Sequence, residues 1–506
     1  MPRLYQSPPR VTFAVLAAAA ASFSLMQSLV TPVLPTIQHD LGTSAGTVTW
    51  VLTAWLLAAS VATPLMGRIA DMIGKDRTLL VALAAIAVGC LIAAVAPNVG
   101  VLIAARILQG LGSAVFPVSF GIIRDEFPAA KVTGAVGVMA AVIATGSGFG
   151  VVLAGPIVGA LNWRWLFWIP MMVVVAVGVL AYRLVPASPV RTPGRINWFS
   201  AVLLSGWLVA LLLPLSQATV WGWGDRRTLG LLATAAVLLA GWLFAELRSA
   251  NPLIDMRMMR LPAVWTTNLV ALLFGAAMFG VFAFLPQLVQ VPRESGYGFG
   301  ASVTGAGLLM LPMLVTMAVF GSLSGPLTRW AGPKAQLLVG AALGTVACLA
   351  FALRHDEQWA VAAAGGVFGV GLGLLYSAMI NLVVQSVPMH QTGVASGMNT
   401  NIRTIGASIG TAVVSAIVTG HPTTAGLPAE SGFTLSFLVL AAAGAAAFAV
   451  ALLVPSARQA APAKTVPQIA ALAAPATTVP QTAALAAPAR TAPRAATLPE
   501  LTPVEV

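Results

Sequence analysis

Long apolar runs separated by short polar breaks dominate the chain. They lie near residues 11–35, 47–66, 78–96, 100–123, 134–160, 164–184, 197–217, 228–246, 264–288, 301–325, 335–353, 359–385, 393–419 and 431–454. Each is close to the ~20 apolar residues that an α-helix needs to cross a hydrocarbon core of roughly 30 Å. The pattern predicts an all-α polytopic membrane protein with fourteen transmembrane helices. The first run follows Arg3 and Arg10 as a secretory signal would, but it is longer than the usual ~7–15 residue signal core. It reads as an uncleaved first helix.

The polar breaks carry the orientation. The chain has 26 Lys and Arg. Five fall in one set of alternate breaks: Arg164, Arg226, Arg227, Arg293 and Arg354. Arg106 and Arg403 fall inside runs, and the remaining nineteen fall in the breaks and termini on the other side. Cytoplasmic loops hold the excess of Lys and Arg, so an even helix count with both termini cytoplasmic is expected. Composition agrees. The chain is 58% hydrophobic and only 8% charged, with a mean hydropathy of +0.92. A water-facing surface needs about a quarter of residues charged, so most of this surface must face lipid. The net charge of +12 is then a membrane-topology signal and not a sign of nucleic-acid binding. Cys90 and Cys348 sit in apolar runs without metal or redox spacing and read as small core residues. After about residue 455 the chain turns Ala- and Pro-rich. TVPQIAALAAPA (465–476) is followed by TVPQTAALAAPA (478–489), a composition that builds no core and reads as a disordered cytoplasmic tail.

Three stretches carry candidate chemistry. GRIADMIGKDR (67–77) packs five charges into the break between the second and third runs. Lys75 and Arg77 suit a cytoplasmic loop. Asp71 does not follow from that rule: it stands four residues after Gly67, read here as a helix-ending glycine, and could accept from a neighbouring helix N-terminus or pair with an Arg. Gly67 and Gly74 would permit a tight turn and close helix approach. RILQGLGSA (106–114) places Arg106 and Gln109 inside the fourth run, where a charge is expensive and normally faces a cavity or a partner. GSGFGVVLAGPIVGAL (146–161) in the fifth run spaces small residues by four, with Pro156 to allow a bend.

These stretches resemble motifs A, B and C of the major facilitator superfamily. Gly67, Asp71, Gly74, Lys75 and Arg77 match motif A, with Asp76 where a second basic residue is usual. Arg106, Gln109, Gly110 and Gly112 match motif B, and Gly155, Pro156 and Gly159 match the core of motif C, the antiporter motif. Trp163, Arg164, Trp165 and Phe167 resemble the segment that follows motif C in the fourteen-helix drug:proton antiporter group. GSLSGPLTRWAGPK (321–334) looks like a degenerate second motif A that keeps Gly325, Arg329 and Gly332. The resemblance covers about residues 11–454. It implies two six-helix bundles, 1–184 and 263–454, two linker helices with flanking loops in 185–262, and a tail over 455–506. It further implies a conformational latch at the motif A residues, proton transfer at Arg106, and export by antiport.

One family feature is missing. Aligned on Leu34–Pro35, the usual helix 1 acid is replaced by Met26, with Gln27 the nearest polar residue. None of the fourteen Asp and Glu falls at the centre of a predicted helix. A buried carboxylate is the usual proton carrier, because low dielectric raises its pKa toward neutral. Asp40 or Asp71 at helix ends, or substrate protonation, are the alternatives, and neutral or anionic substrates are favoured over cations. The polar groups left at membrane depth are Gln27, Arg106, Gln109, Asn381, Asn399, Asn401 and Arg403. They are candidates for a proton and substrate pathway, though Asn and Gln equally serve to hold helices together.

The expected function is secondary export of small amphipathic molecules, as in drug or antibiotic efflux, by proton antiport through alternating access. An exporter dedicated to one metabolite and a transport-inactive membrane sensor are the alternatives. The expected partners are a small-molecule substrate, protons as coupling ion and the lipid bilayer of the cell membrane, acting on a monomer. An enzyme is not expected: His39, His355, His390 and His421 lack metal spacing, no Walker A sequence is present, and no metal or cofactor is implied.

Overall fold

The computed structural model describes residues 8–188, 197–249, 252–388, 391–420 and 428–455. His390, His421, Arg191, Arg195 and the repeated tail beyond Pro455 lie outside the described residues.

The apolar runs become helices, which we number α1 to α14. They are α1 (Pro9–Asp40, with a 3-10 turn at Thr31–Val33), α2 (Ala45–Ile73), α3 (Lys75–Ala94), α4 (Val99–Glu126), α5 (Ala129–Ala160) and α6 (Trp165–Leu184). Then come α7 (Trp198–Trp221), α8 (Arg226–Arg248) and α9 (Pro262–Gln290). Val303–Leu353 is one run that breaks at Gly332, whose φ of 81° lies outside the helical region, giving α10 before it and α11 after it. The last three are α12 (Gln358–Ser386), α13 (Thr392–Thr419) and α14 (Glu430–Leu452). Among the described residues thirteen helices are long and apolar enough to cross a membrane, and one of them is this double helix, which makes fourteen candidate spans. Side chains accept from orphan N–H groups at several starts, as Ser44 does from Thr47, Asn98 from Val101 and Ser302 from Gly305.

Packing divides along the chain. Helix α1 lies on α5 and α6, and α3 on α4 and α6. Helix α9 lies on α13 and α14, and the α10–α11 hairpin on α12. The first six and last six helices meet along two seams, α2 against α13 and α5 against α10. The pair α7 and α8 packs on itself, with Trp207 and Trp242 rings 6.0 Å apart, and α7 rests on α2 and α13. The apolar window of α8 is only 17% buried, against 89% for α12, so α8 is a peripheral, lipid-facing helix. Cys90 and Cys348 are buried and free.

One boundary differs from expectation. Helix α2 does not end at Gly67. It runs on to Ile73, and the chain turns only at Gly74, with φ 112°. Gly67 serves contact instead: a Cβ there would sit 2.8 Å from the carbonyl oxygen of Gly393. Glycine keeps the helix and removes the side chain where two backbones touch.

Candidate functional site

Asp71, on the last turn but one of α2, is 2% exposed and faces the start of α13. Its two carboxylate oxygens lie 3.1 and 3.2 Å from where a Cβ on Gly393 would stand, and the Val394 amide is its backbone donor. The bond is loose, since neither oxygen meets full hydrogen-bond geometry. The interaction is that of an anion at a helix N-terminus, where the dipole and unpaired N–H groups favour negative charge. Gly67 and Gly393 bring the two backbones close enough for it.

Beside Asp71 the contacts multiply. Lys75 Nζ is 2.6 Å from Asp125 Oδ2, with side chains only 1% and 2% exposed. The stem of Lys75 lies over Gly121 of α4, where a Cβ would come within 2.7 Å of Lys75 Cε. Asp76 accepts from the Ser188 amide at 3.2 Å, so the acid in place of a second basic residue ties α3 to the chain leaving α6. Arg124, next to Asp125, crosses to the second half. It donates from Nη1 to Thr392 Oγ1 and from Nη2 to the Val387 carbonyl, both at 2.6 Å. The sequence reading did not single out Arg124 or Asp125, because in sequence they are ordinary charges at a helix end. Arg77 is exposed and Gly74 makes the turn.

The pathway candidates do not form one cluster. Arg106 is fully buried in the first half, where Nε donates to the Val51 carbonyl at 3.2 Å and Nη1 to Gln109 Oε1 at 2.8 Å. Its guanidinium also lies 5.4 Å from the Trp55 ring centre. Gln109 in turn reaches Cys90 Sγ at 3.5 Å, and Cys90 meets Met26 Sδ at 3.3 Å. Met26, which stands at the position of the missing acid, is therefore packed against sulfur. Gln27 is half-buried on α1.

Asn381 and Asn401 hold the seams. Asn401 donates to the Ser60 carbonyl of α2 at 2.6 Å, and Asn381 to the Thr133 carbonyl of α5 at 3.2 Å. Asn399 donates to Asn268 Oδ1 of α9 at 2.9 Å. Arg403 is 6% exposed, with its guanidinium 4.3 Å from the centre of the Tyr376 ring.

Gly155, Pro156 and Gly159 depart from the close-packing reading. They are exposed, and a Cβ on either glycine would meet nothing within 4 Å. Tight contacts of α5 come earlier, at Gly146 and Gly150 against Ser24, Ser28 and Leu25 of α1 and at Gly148 against Leu314 of α10. The glycines of α12 and α13 do pack: Gly369 meets Met313 of α10, and Gly406 and Gly410 meet Leu272 and Ala276 of α9.

The Trp-Arg-Trp segment anchors the other end. Trp163 donates to Asp40 Oδ2 at 2.9 Å, and Arg164 covers the Trp163 ring and donates to the Ala96 carbonyl at 3.2 Å. The fold also joins residues that the sequence scattered: His355 Nε2 lies 3.0 Å from Glu430 Oε1, with Asp356 alongside.

The family model for the major facilitator superfamily matches residues 16–411. The chain belongs to this superfamily. It is 29% identical over 414 residues to the tetracenomycin C resistance and export protein of Streptomyces glaucescens, covering 81% of this chain and 76% of that protein. It is 31% identical over 433 residues to the cephamycin export protein CmcT of Amycolatopsis lactamdurans, covering 83% and 87%. A solved structure of the human organic anion transporter MFSD10 aligns with a TM-score of 0.66 at 16% identity, over 88% of this chain and all of that one. That likeness is one of fold alone. The chain is thus a multi-pass cell-membrane protein of a transporter family whose relatives include antibiotic exporters.

Proposed function

We propose that this protein is a secondary exporter of small amphipathic molecules that works by alternating access and exchanges substrate for protons. One observation carries the reading: the two halves are interlocked at one end and not at the other. At the first end Asp71 faces the start of α13 and Arg124 grips Thr392 and Val387. At the far end of α5 the contact across the seam reaches only to Val152 against Gly307 of α10, and a Cβ on Gly155 or Gly159 would meet nothing within 4 Å. With Lys and Arg marking the interlocked end as cytoplasmic, this is a carrier closed inside and loosened outside. Residues 1–184 and 263–454 would then rock as two bodies, with 185–262 as the linker pair and Arg106 and Gln109 on the pathway of the first body.

Among the described residues no acid stands mid-helix, so Asp71 is the best-placed proton acceptor. It is buried, and its charge holds the closed end. A protonated Asp71 would release α13, which would couple proton uptake to opening. A narrower substrate range also fits, because the two relatives above are each named for one compound or compound class. The test is proton flux in everted vesicles, with a pH-quenched dye reporting the gradient while cationic, neutral and anionic compounds are added in turn. Collapse of the gradient by one class is expected. A gradient that no compound disturbs would contradict proton exchange and leave export by another driving force.

A further inference from the structure

The three buried cations among the described residues, Lys75, Arg106 and Arg403, are treated differently. Lys75 has a carboxylate at 2.6 Å. Arg403 has none. Its Nη1 has no hydrogen-bond partner among the described residues, and its contacts are the ring and hydroxyl of one residue, Tyr376. Arg106 also has one nitrogen, Nη2, without a partner, but its Nε and Nη1 are bonded to a carbonyl and an amide oxygen, with a Trp ring beside it. The described acids of the membrane helices, Asp40, Asp71, Asp76, Asp125, Glu126, Glu246 and Glu430, lie at or near helix ends. None is paired with Arg403 among the described residues.

The residue is also held in place. The α13 backbone at Arg403 touches α9 at Gly275, where a Cβ would clash with the Arg403 carbonyl and stand 3.0 Å from its Cγ. The Tyr376 ring, which lies under the guanidinium, meets Phe274 edge-on at 6.4 Å. One turn back on α13, Asn399 points at α9 with its own carbonyl oxygen unsatisfied. A charged group kept desolvated without a counter-ion is costly and rarely kept without use. The fork of a guanidinium matches a carboxylate or another delocalised oxyanion, and two aromatic rings packed edge to face offer an apolar wall beside it.

We propose that Arg403 is the anion-binding residue of the substrate site, and that the exported molecules carry an acidic group, carboxylate or phenolate, on a flat apolar frame. The proposal rests on the export reading above and narrows it to a substrate class. Tyr376 orients the guanidinium from below, and Phe274 extends the aromatic wall. A cation held only for structure by the Tyr376 ring would be indifferent to ligand charge, which gives the test.

Binding is measured first, without any gradient, on the purified full chain. The probes are pyrene-1-carboxylate and its neutral analogue pyrene-1-carboxamide, read by pyrene fluorescence in gluconate buffer. The expected result is at least about tenfold tighter binding of the carboxylate by the native protein, the worth of one charge-assisted contact. Arg403→Gln should remove the preference. Arg403→Lys, which keeps the charge and loses the fork, should leave a reduced one. Equal binding of the two probes by the native protein overturns the proposal. So does a preference that survives Arg403→Gln, or one unchanged in Arg403→Lys. A preference abolished by replacing gluconate with chloride would assign the residue to a small inorganic anion and overturn it also. The export reading is tested separately: vesicles that move both probes equally keep that reading and refute this one, and vesicles that move neither refute that reading while the binding preference can stand.

Discussion

The two junctions at the interlocked end share one backbone design and differ in charge. The α2–α3 turn is made by Gly74 at φ 112° and the α10–α11 turn by Gly332 at φ 81°. Gly67 of α2 touches Gly393 of α13, and Gly325 of α10 touches Gly134 of α5, where a Cβ on Gly325 would stand 2.6 Å from the Gly134 Cα. In each junction the touched glycine follows a threonine that accepts a bond from a helix of the other half. Arg124 of α4 binds Thr392 of α13, and Gln385 of α12 binds Thr133 of α5. The charges are not repeated. Arg329 and Pro333 stand where Asp71 and Lys75 stand in the first half, and Gln336 bonds Ser324 within its own hairpin. Close backbone contact therefore does the same mechanical work twice, while the switchable electrostatic contact is built once. One junction is a glycine seam alone, and the other is a glycine seam with a buried acid, the latch of the proposed mechanism.

The comparison can be broken by variants, in falling order of effect. Lys75→Met leaves Asp125 buried without its partner and should cost about 3–5 kcal/mol of stability, while adding Asp125→Leu should recover most of it. Thermal unfolding in detergent reads both, and an undisturbed Lys75→Met protein would mean that the pair is solvated. Gly67→Val and Gly325→Val overpack one seam each, at about 1–3 kcal/mol. Both should lower transport about tenfold or more, because both seams must close. Transport kept in either variant would show that its seam is not used. Asp71→Asn keeps the shape and removes the charge, and at up to ~2 kcal/mol for an anion at a helix start it should slow transport about 3- to 30-fold with protein still in the membrane. The second junction should respond least: Gln385→Ala loses one exposed hydrogen bond, about 0.5 kcal/mol, or roughly twofold in transport. A larger effect from Gln385→Ala than from Asp71→Asn would reverse the assignment of the latch.

Much of this was legible before any coordinates. Helix number followed from run length, including the peripheral pair α7 and α8. The Asp71 contact with a helix N-terminus followed from an acid placed beside two glycines. The partners did not follow. Arg124 lies 263 residues from Val387 and 268 from Thr392, and Asp125 lies 50 from Lys75, so only packing joins them. Gly67 misled because glycine ends helices in water, whereas in a membrane helix it more often marks a contact. Gly155 and Gly159 misled in the opposite sense. Their spacing fits a packed seam, but a Cβ on either would meet nothing within 4 Å, and the contact of α5 with α10 stops short of them, at Val152 against Gly307.

The central claim is that Asp71 holds α2 against α13 in the closed state. It is tested most directly by pulsed EPR distances between spin labels at Ile73 and Ser386, compared in the native background and in Asp71→Asn. The account predicts a dominant short distance that loses population to a longer one when the charge is removed. Identical distributions in the two proteins would contradict it.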